Sequence, residues 1–202
     1  MNLICQSQNL DDYLLESEAI DFSHPDIAAL TAELQASSAV QVDFIKRAYE
    51  YVRDEIAHSW DIQSNRITCA ASEALRHREG ICYAKANLLS AVLRKAGIPA
   101  GFCYQRLTIG DTPDTGYCIH ALNAVYLSDH GKWIRLDARG NKPGIDAAFS
   151  LTDERLAFPV REEYDEVDYS TIFISPNPKT TEALKQNSDC KTMYLHGLPE
   201  NL

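Results

Sequence analysis

The sequence predicts an α+β fold in which helices come first and an antiparallel sheet follows. Helical patterns with caps and stops fill the first hundred positions, three strand-like runs lie between 100 and 138, and strands and helices do not alternate as they would in a doubly wound sheet. A length of 202 residues suits a single domain over 1–202 with elaborated ends. Such a chain buries about two-thirds of its unfolded surface without disulfide or metal staples.

Ser23-His24-Pro25-Asp26 marks the first helix start, with Ser23 as cap and Pro25 in the first turn. Over 40–57, Val40, Phe44, Ala48, Tyr51, Val52 and Ile56 fall on one stripe at helical spacing. A short helix is expected over about 70–78, with Thr68 or Ser72 near its start and Gly80 just past its end. Residues 83–96 (YAKANLLSAVLRKA) form a helix apolar on most of its circumference, stopped by Gly97 and Pro99. A helix of that kind belongs at the centre of the fold. Strands follow at 100–108, 118–127 and 132–138, the last two joined through Ser128 to Gly131. Beyond 140 the pattern fades: 144–175 is mixed, Pro176 and Pro178 break the chain, and 180–187 reads as one more helix.

Composition narrows the function. Hydrophobic residues make up 45% and charged residues 24%, which excludes a disordered or collagen-like chain. A net charge of −10 argues against nucleic acid, a polyphosphate ligand or an anionic membrane as partner. No apolar run approaches the ~20 residues that span a bilayer, and the N-terminus has neither the basic region nor the apolar core of a signal peptide. The six cysteines (Cys5, Cys69, Cys82, Cys103, Cys118, Cys190) include no C-x-x-C pair and read as free thiols of a reducing, cytoplasmic protein. Residues 1–26 carry six acids and no Lys or Arg, and 151–170 carry seven acids against two arginines. Solvated faces are the ordinary reading of such runs; the rival is an acidic edge around a less acidic middle.

The chemistry gathers at the central helix and the hairpin. Cys82, in Arg-Glu-Gly-Ile-Cys-Tyr-Ala-Lys, lies after a glycine and at a helix start. There the dipole and the unpaired first-turn N–H groups favour a thiolate and can hold an oxyanion. The plainer reading is a small buried residue. The hairpin shifts the balance toward function. A turn from Ser128 to Gly131 sets Leu127 against Lys132 and leaves His120 diagonal to Asp137; a two-residue turn at Ser128-Asp129 sets them directly opposite. Either register puts both on one face, within roughly 5–8 Å at Cβ. A slip of one residue would part them. Cys, His and Asp then form a nucleophile, a base and the acid that orients it.

With these residues in place, the stretch from about 70 to 140 resembles the transglutaminase-like superfamily, a papain-like fold that also holds peptide N-glycanases. The carrying pieces are Ala-Ser-Glu-Ala-Leu, Arg-Glu-Gly-Ile-Cys82-Tyr-Ala-Lys-Ala, Leu-Leu-Ser-Ala-Val-Leu-Arg-Lys-Ala-Gly-Ile-Pro, His120-Ala-Leu-Asn-Ala-Val-Tyr-Leu and Trp133-Ile-Arg-Leu-Asp137-Ala. The resemblance implies N-terminal helices over 1–65, a nucleophile-bearing central helix, an antiparallel sheet and a C-terminal extension over 141–202. It puts the nucleophile on Cys82, the base on His120 and the acid on Asp137. An upstream tryptophan aids the oxyanion in eukaryotic transglutaminases, and Trp60 and Gln63 lie in the corresponding upstream stretch. Tyr83 and Tyr117 flank the nucleophile and base motifs as candidate cleft residues. No calcium loop of the D-x-D-x-D-G kind is present, so no metal and no cofactor are expected.

A zinc site assembled from Cys69, Cys103, Cys118 and His120 is the weaker alternative, because no ligand pair has finger or ribbon spacing. His24, His58, His77, His130 and His196 read as cap, helix-surface or turn residues. The expected function is a thiol enzyme acting on an amide or peptide bond of a peptide, protein or small amide through a thioester. Hydrolysis is favoured, since a dry acceptor channel needs more wall than this chain has to build one. Protein–amine transamidation is the alternative, with the acidic run 153–168 as a lure for a cationic amine. A catalytically silent binding module of the same fold is the rival from another class.

Overall fold

A computed structural model describes residues 1–110 and 112–202. A two-residue strand β1 (Ile4–Cys5) precedes the helices α1 (Pro25–Ala36) and α2 (Gln41–Glu55). Strand β2 (Ala57–His58), helix α3 (Ala71–His77) and strand β3 (Glu79–Gly80) lead into α4 (Cys82–Lys95). The sheet strands are β4 (Ala100–Thr108), β5 (Tyr117–Leu127) and β6 (Lys132–Leu136), and then come β7 (Val167–Asp168), β8 (Thr171–Ile172), α5 (Pro178–Gln186) and α6 (Cys190–His196). The main sheet is antiparallel with order β6-β5-β4-β7, while β1 pairs with β8 and β2 with β3, both in parallel. Helices before sheet is the expected α+β order.

Helix α4 is the centre, as its sequence requires. Twelve of its fourteen residues are buried, and α1, α2 and α3 pack around it against one face of the sheet. The polar side chains on this buried helix find carbonyl and hydroxyl partners. Asn87 Nδ2 donates to the Cys69 carbonyl, Ser90 Oγ accepts from Asn123 Nδ2, and Arg94 donates to the carbonyls of Leu15, Ala100 and Ile174. Lys85 Nζ donates to the carbonyls of Arg53 and Ile56 at the end of α2, where the last turn leaves carbonyls without helical partners. Burial, with Arg139 nearby, pulls the Lys85 pKa down to about 7. The opposite face of the sheet covers a second, smaller core of Tyr13, Cys103, Leu122, Ala124 and Ile172.

Several local expectations are corrected. His24, not Ser23, caps α1: its Nδ1 accepts the Asp26 N–H, while Ser23 bonds Glu16. Helix α3 is closed at its start by the Glu73 carboxylate, which accepts the N–H groups of Cys69 and Ala70, and at its end by Arg78 in the left-handed region. Gly80 lies on β3, where a Cβ would sit 2.9 Å from that of Ala84, so its role is close packing of the strand on α4. Val40 is exposed, and Ile45 and Tyr49 complete the buried stripe of α2. Strand β6 stops at Leu136, two residues early. Pro178 opens α5 behind an Asn177 cap, so it starts a helix where a break was expected.

The acidic run is not a plain solvated loop. Arg135, buried on β6, is gripped by Glu154 and Asp168. The Glu166 side chain is only 1% exposed and accepts from Thr108 and from the backbone and side chain of Arg161. Burial alone would raise its pKa, but these donors win and hold it at about 2. A carboxyl depressed below its ordinary value stabilises the fold above that value, and the contribution fades as pH falls through the folded one. Glu166→Gln should therefore cost about 1–3 kcal/mol in urea unfolding at pH 7. The gap from wild type should shrink steadily as the titration is repeated at lower pH; a gap that holds unchanged down to pH 2 would count against this account.

Candidate active site

Cys82 is the first residue of α4, after Ile81, which provides no side-chain cap. The Lys85 N–H reaches the Ile81 carbonyl, whereas among the described residues the N–H groups of Cys82, Tyr83 and Ala84 have no backbone acceptor. The strand pair β2–β3 braces this turn, setting His58 opposite Gly80, two residues before the thiol. His120 lies on β5, deep in the sheet, and Asp137 follows directly on the end of β6.

The hairpin adopts the register with Leu127 against Lys132, so His120 meets Asp137 on the diagonal. His120 Nε2 is 2.8 Å from Asp137 Oδ2. That carboxylate also accepts the Ala157 N–H at 3.0 Å on Oδ2 and the Arg139 N–H at 3.1 Å on Oδ1. His120 is 4% and Asp137 1% exposed. Burial disfavours charge on both, yet each stabilises the other's. Asp137 and Cys82 raise the His120 pKa through charge and hydrogen bonding, and His120 with the two amides lowers that of Asp137. With Nε2 on Asp137, Nδ1 is the ring nitrogen left for the thiol. Phe158 closes over the imidazole edge-on, with centroids 5.1 Å apart.

A cavity of about 430 Å³ opens beside Cys82 and His120. Trp60 forms part of its wall and stacks on Tyr194 of α6, with centroids 4.2 Å apart. Tyr83 lines it too, and its hydroxyl donates to the Ile119 carbonyl next to His120. Gln63 does not line the cavity: it is an exposed residue at positive φ whose amide bonds the Trp60 carbonyl. Tyr117 is also outside, donating to the Tyr164 carbonyl with Arg106 over its ring. Among the described residues no cluster of three His, Cys, Asp or Glu could hold a metal, and Cys103 of the zinc alternative lies in the second core.

His58 overturns its surface or turn reading, being 6% exposed and in the cavity wall. A lone histidine between a helix and a loop carried no spacing signal. Arg139 and Lys142, both on the cavity, share Asp61 as their ion-pair partner, 78 or more residues away in sequence, a pairing that no local pattern announces.

A family model of the transglutaminase-like superfamily matches residues 28–138, more than half of the chain, and Cys82, His120 and Asp137 all lie inside that match. The chain belongs to the transglutaminase-like superfamily. Among solved structures, a candidate cysteine protease from Cytophaga hutchinsonii is 18% identical with a TM-score of 0.52, covering 66% of this chain and 43% of that one. The periplasmic domain of TgpA from Pseudomonas aeruginosa is 20% identical with a TM-score of 0.46, covering 63% of this chain and 46% of that one. This transglutaminase-like chain thus aligns with less than half the length of either. Its fold is the α+β, papain-like one of the superfamily. Among curated proteins none matches.

Proposed function

We propose that this protein is a metal-independent thiol enzyme that cleaves an amide or peptide bond through a thioester on Cys82. The observation that carries the reading is the buried Asp137–His120 pair set beside a helix-start cysteine at the mouth of a cavity. In this reading the Cys82 thiol loses its proton to His120, and the thiolate attacks the substrate carbonyl. The N–H groups at the start of α4, which have no backbone acceptor among the described residues, hold the developing oxyanion. His120 then protonates the leaving amine, and a water, deprotonated by His120, resolves the acyl-enzyme. Asp137 keeps the ring oriented and its charge supported throughout.

Water is the favoured acceptor. A cationic amine is best received by a free carboxylate in the cavity wall, but among the described residues Glu166 is the carboxylate on that wall, and it is bound by Arg161 and Thr108. Glu154 and Asp168, from the same acidic run, are held by Arg135. The test is a peptide-amide library offered with and without a labelled primary amine and read by mass. Release of free acid with little label is expected; label incorporated as fast as acid is released would replace hydrolysis by transamidation. All six cysteines are free thiols, which suits the reducing compartment proposed for the protein.

A further inference from the structure

We propose that His58 is a catalytic residue of this site, donating a hydrogen bond from Nε2 to the carbonyl oxygen of the bound acyl group beside the N–H groups of α4. The proposal rests on the acyl-transfer reading and adds a role to a residue outside the Cys–His–Asp set.

Three observations converge on it. First, His58 shares the surroundings of the thiol: it sits opposite Gly80 on the strand pair that leads into Cys82, and it lines the same cavity. Second, among the described residues its imidazole has no hydrogen-bond partner, and Nδ1 is sealed from solvent. A buried polar group left unpaired is costly, and a fold tolerates one where function needs the group. Third, its surroundings keep the ring neutral. Burial, then the positive charge of Arg139, press its pKa well below the ordinary value; Asp61 pulls the other way, and Lys85 and His120 add smaller downward pushes.

A neutral imidazole carries one donor and one acceptor. With Nδ1 sealed away from any acceptor, the proton belongs on Nε2, the ring nitrogen that is not sealed in. His58 is not a second base, because among the described residues no acid orients it: Asp61 is taken by Arg139 and Lys142. What remains is a fixed neutral dipole beside the helix start, suited to an oxygen that gains charge only as the thiolate attacks.

Two reactions of Cys82 separate this role from structural support. Iodoacetamide is displaced at carbon: Sγ forms a C–S bond, iodide leaves with its electron pair, and no oxyanion arises. p-Nitrophenyl acetate is attacked at its carbonyl: the C–S bond forms as the C=O pair moves onto oxygen, then the carbonyl re-forms and p-nitrophenolate departs with its pair. His58→Leu should slow acylation about a hundredfold and leave alkylation unchanged. His58→Gln, which restores an amide N–H near the Nε2 position, should recover most of the acylation rate, and His58→Asn, which restores one near Nδ1, should not. The Gln–Asn comparison decides the matter if the leucine variant fails to fold by thermal melting. Equal loss of both reactions in every folded variant, or acylation indifferent to all three changes, would overturn the role of His58. A wild-type Cys82 that is neither acylated nor alkylated ahead of the other thiols would instead sink the acyl-transfer reading itself.

Discussion

Cys82→Ala should abolish thioester formation and all amide turnover while leaving the protein folded. Cys82 is only half-buried at the rim of the core, and alanine is the better helix former, so the stability change should stay within about 1 kcal/mol. At this chain length that is a melting shift of about 2–4 °C. In the wild type, limited iodoacetamide should label Cys82 first. Burial pushes the thiols of Cys103 and Cys118 up to about 12 and that of Cys190 to about 11, and it raises Cys69 as well, which starves them of the reactive thiolate. Peptide mapping that finds Cys103 or Cys118 labelled ahead of Cys82, or an alanine variant that loses several kcal/mol, would return Cys82 to the status of a packing residue.

Asp137→Asn should cost turnover by about two to four orders of magnitude, the upper end being the loss seen for the same change in serine-protease triads. Three donors converge on the carboxylate: His120 Nε2, the Ala157 N–H and the Arg139 N–H. An asparagine has one oxygen for them, so whichever way its amide is turned, an NH₂ confronts an N–H. Stability should therefore fall too, by about 1–3 kcal/mol. The pH dependence discriminates further. His120 is held charged above its ordinary range by Asp137 and Cys82 against the effect of burial. A raised histidine pKa means that the imidazolium, and the stability it confers, persists below that value and is lost as pH climbs through it. Removing the Asp137 charge lets burial prevail, so the alkaline limb of the Cys82 alkylation profile should move to lower pH. Full activity with an unmoved limb would take Asp137 out of the mechanism.

The parts of the site that could be read ahead of the structure rest on short-range regularities. His120 and Asp137 share a face because side chains alternate along a strand and both hairpin turns keep the same parity; the realised diagonal differs from the direct pairing by a shift of two residues, which leaves every side chain on its face. Helix α4 was legible from apolar residues on most of its circumference and from the stop signals Gly97 and Pro99. The unread parts depend on distant partners. After Leu136 the chain forms strands of two residues and helices of at most nine, too short to carry a period. Their positions follow from contacts such as Arg135 with Glu154 and Asp168, or the Ile119 N–H with the Pro199 carbonyl. Tyr194 reaches the cavity only because α6 folds back onto Trp60. His58 was missed for a related reason: its burial comes from β2 pairing with β3, twenty-two residues later.

The stack of Trp60 on Tyr194 gives the cleft an optical signature. The chain has two tryptophans, and the other, Trp133, sits away from the cavity against Tyr13 and Tyr126. Trp133→Phe would leave Trp60 as the single indole emitter, with its face against a phenol ring and its edge in the cavity wall. A molecule entering the cleft would change the polarity around that indole or part the two rings, altering its emission maximum and quantum yield. Fluorescence titration of this variant, with Cys82 also replaced by alanine to prevent turnover, would rank acyl compounds by affinity before any product assay exists.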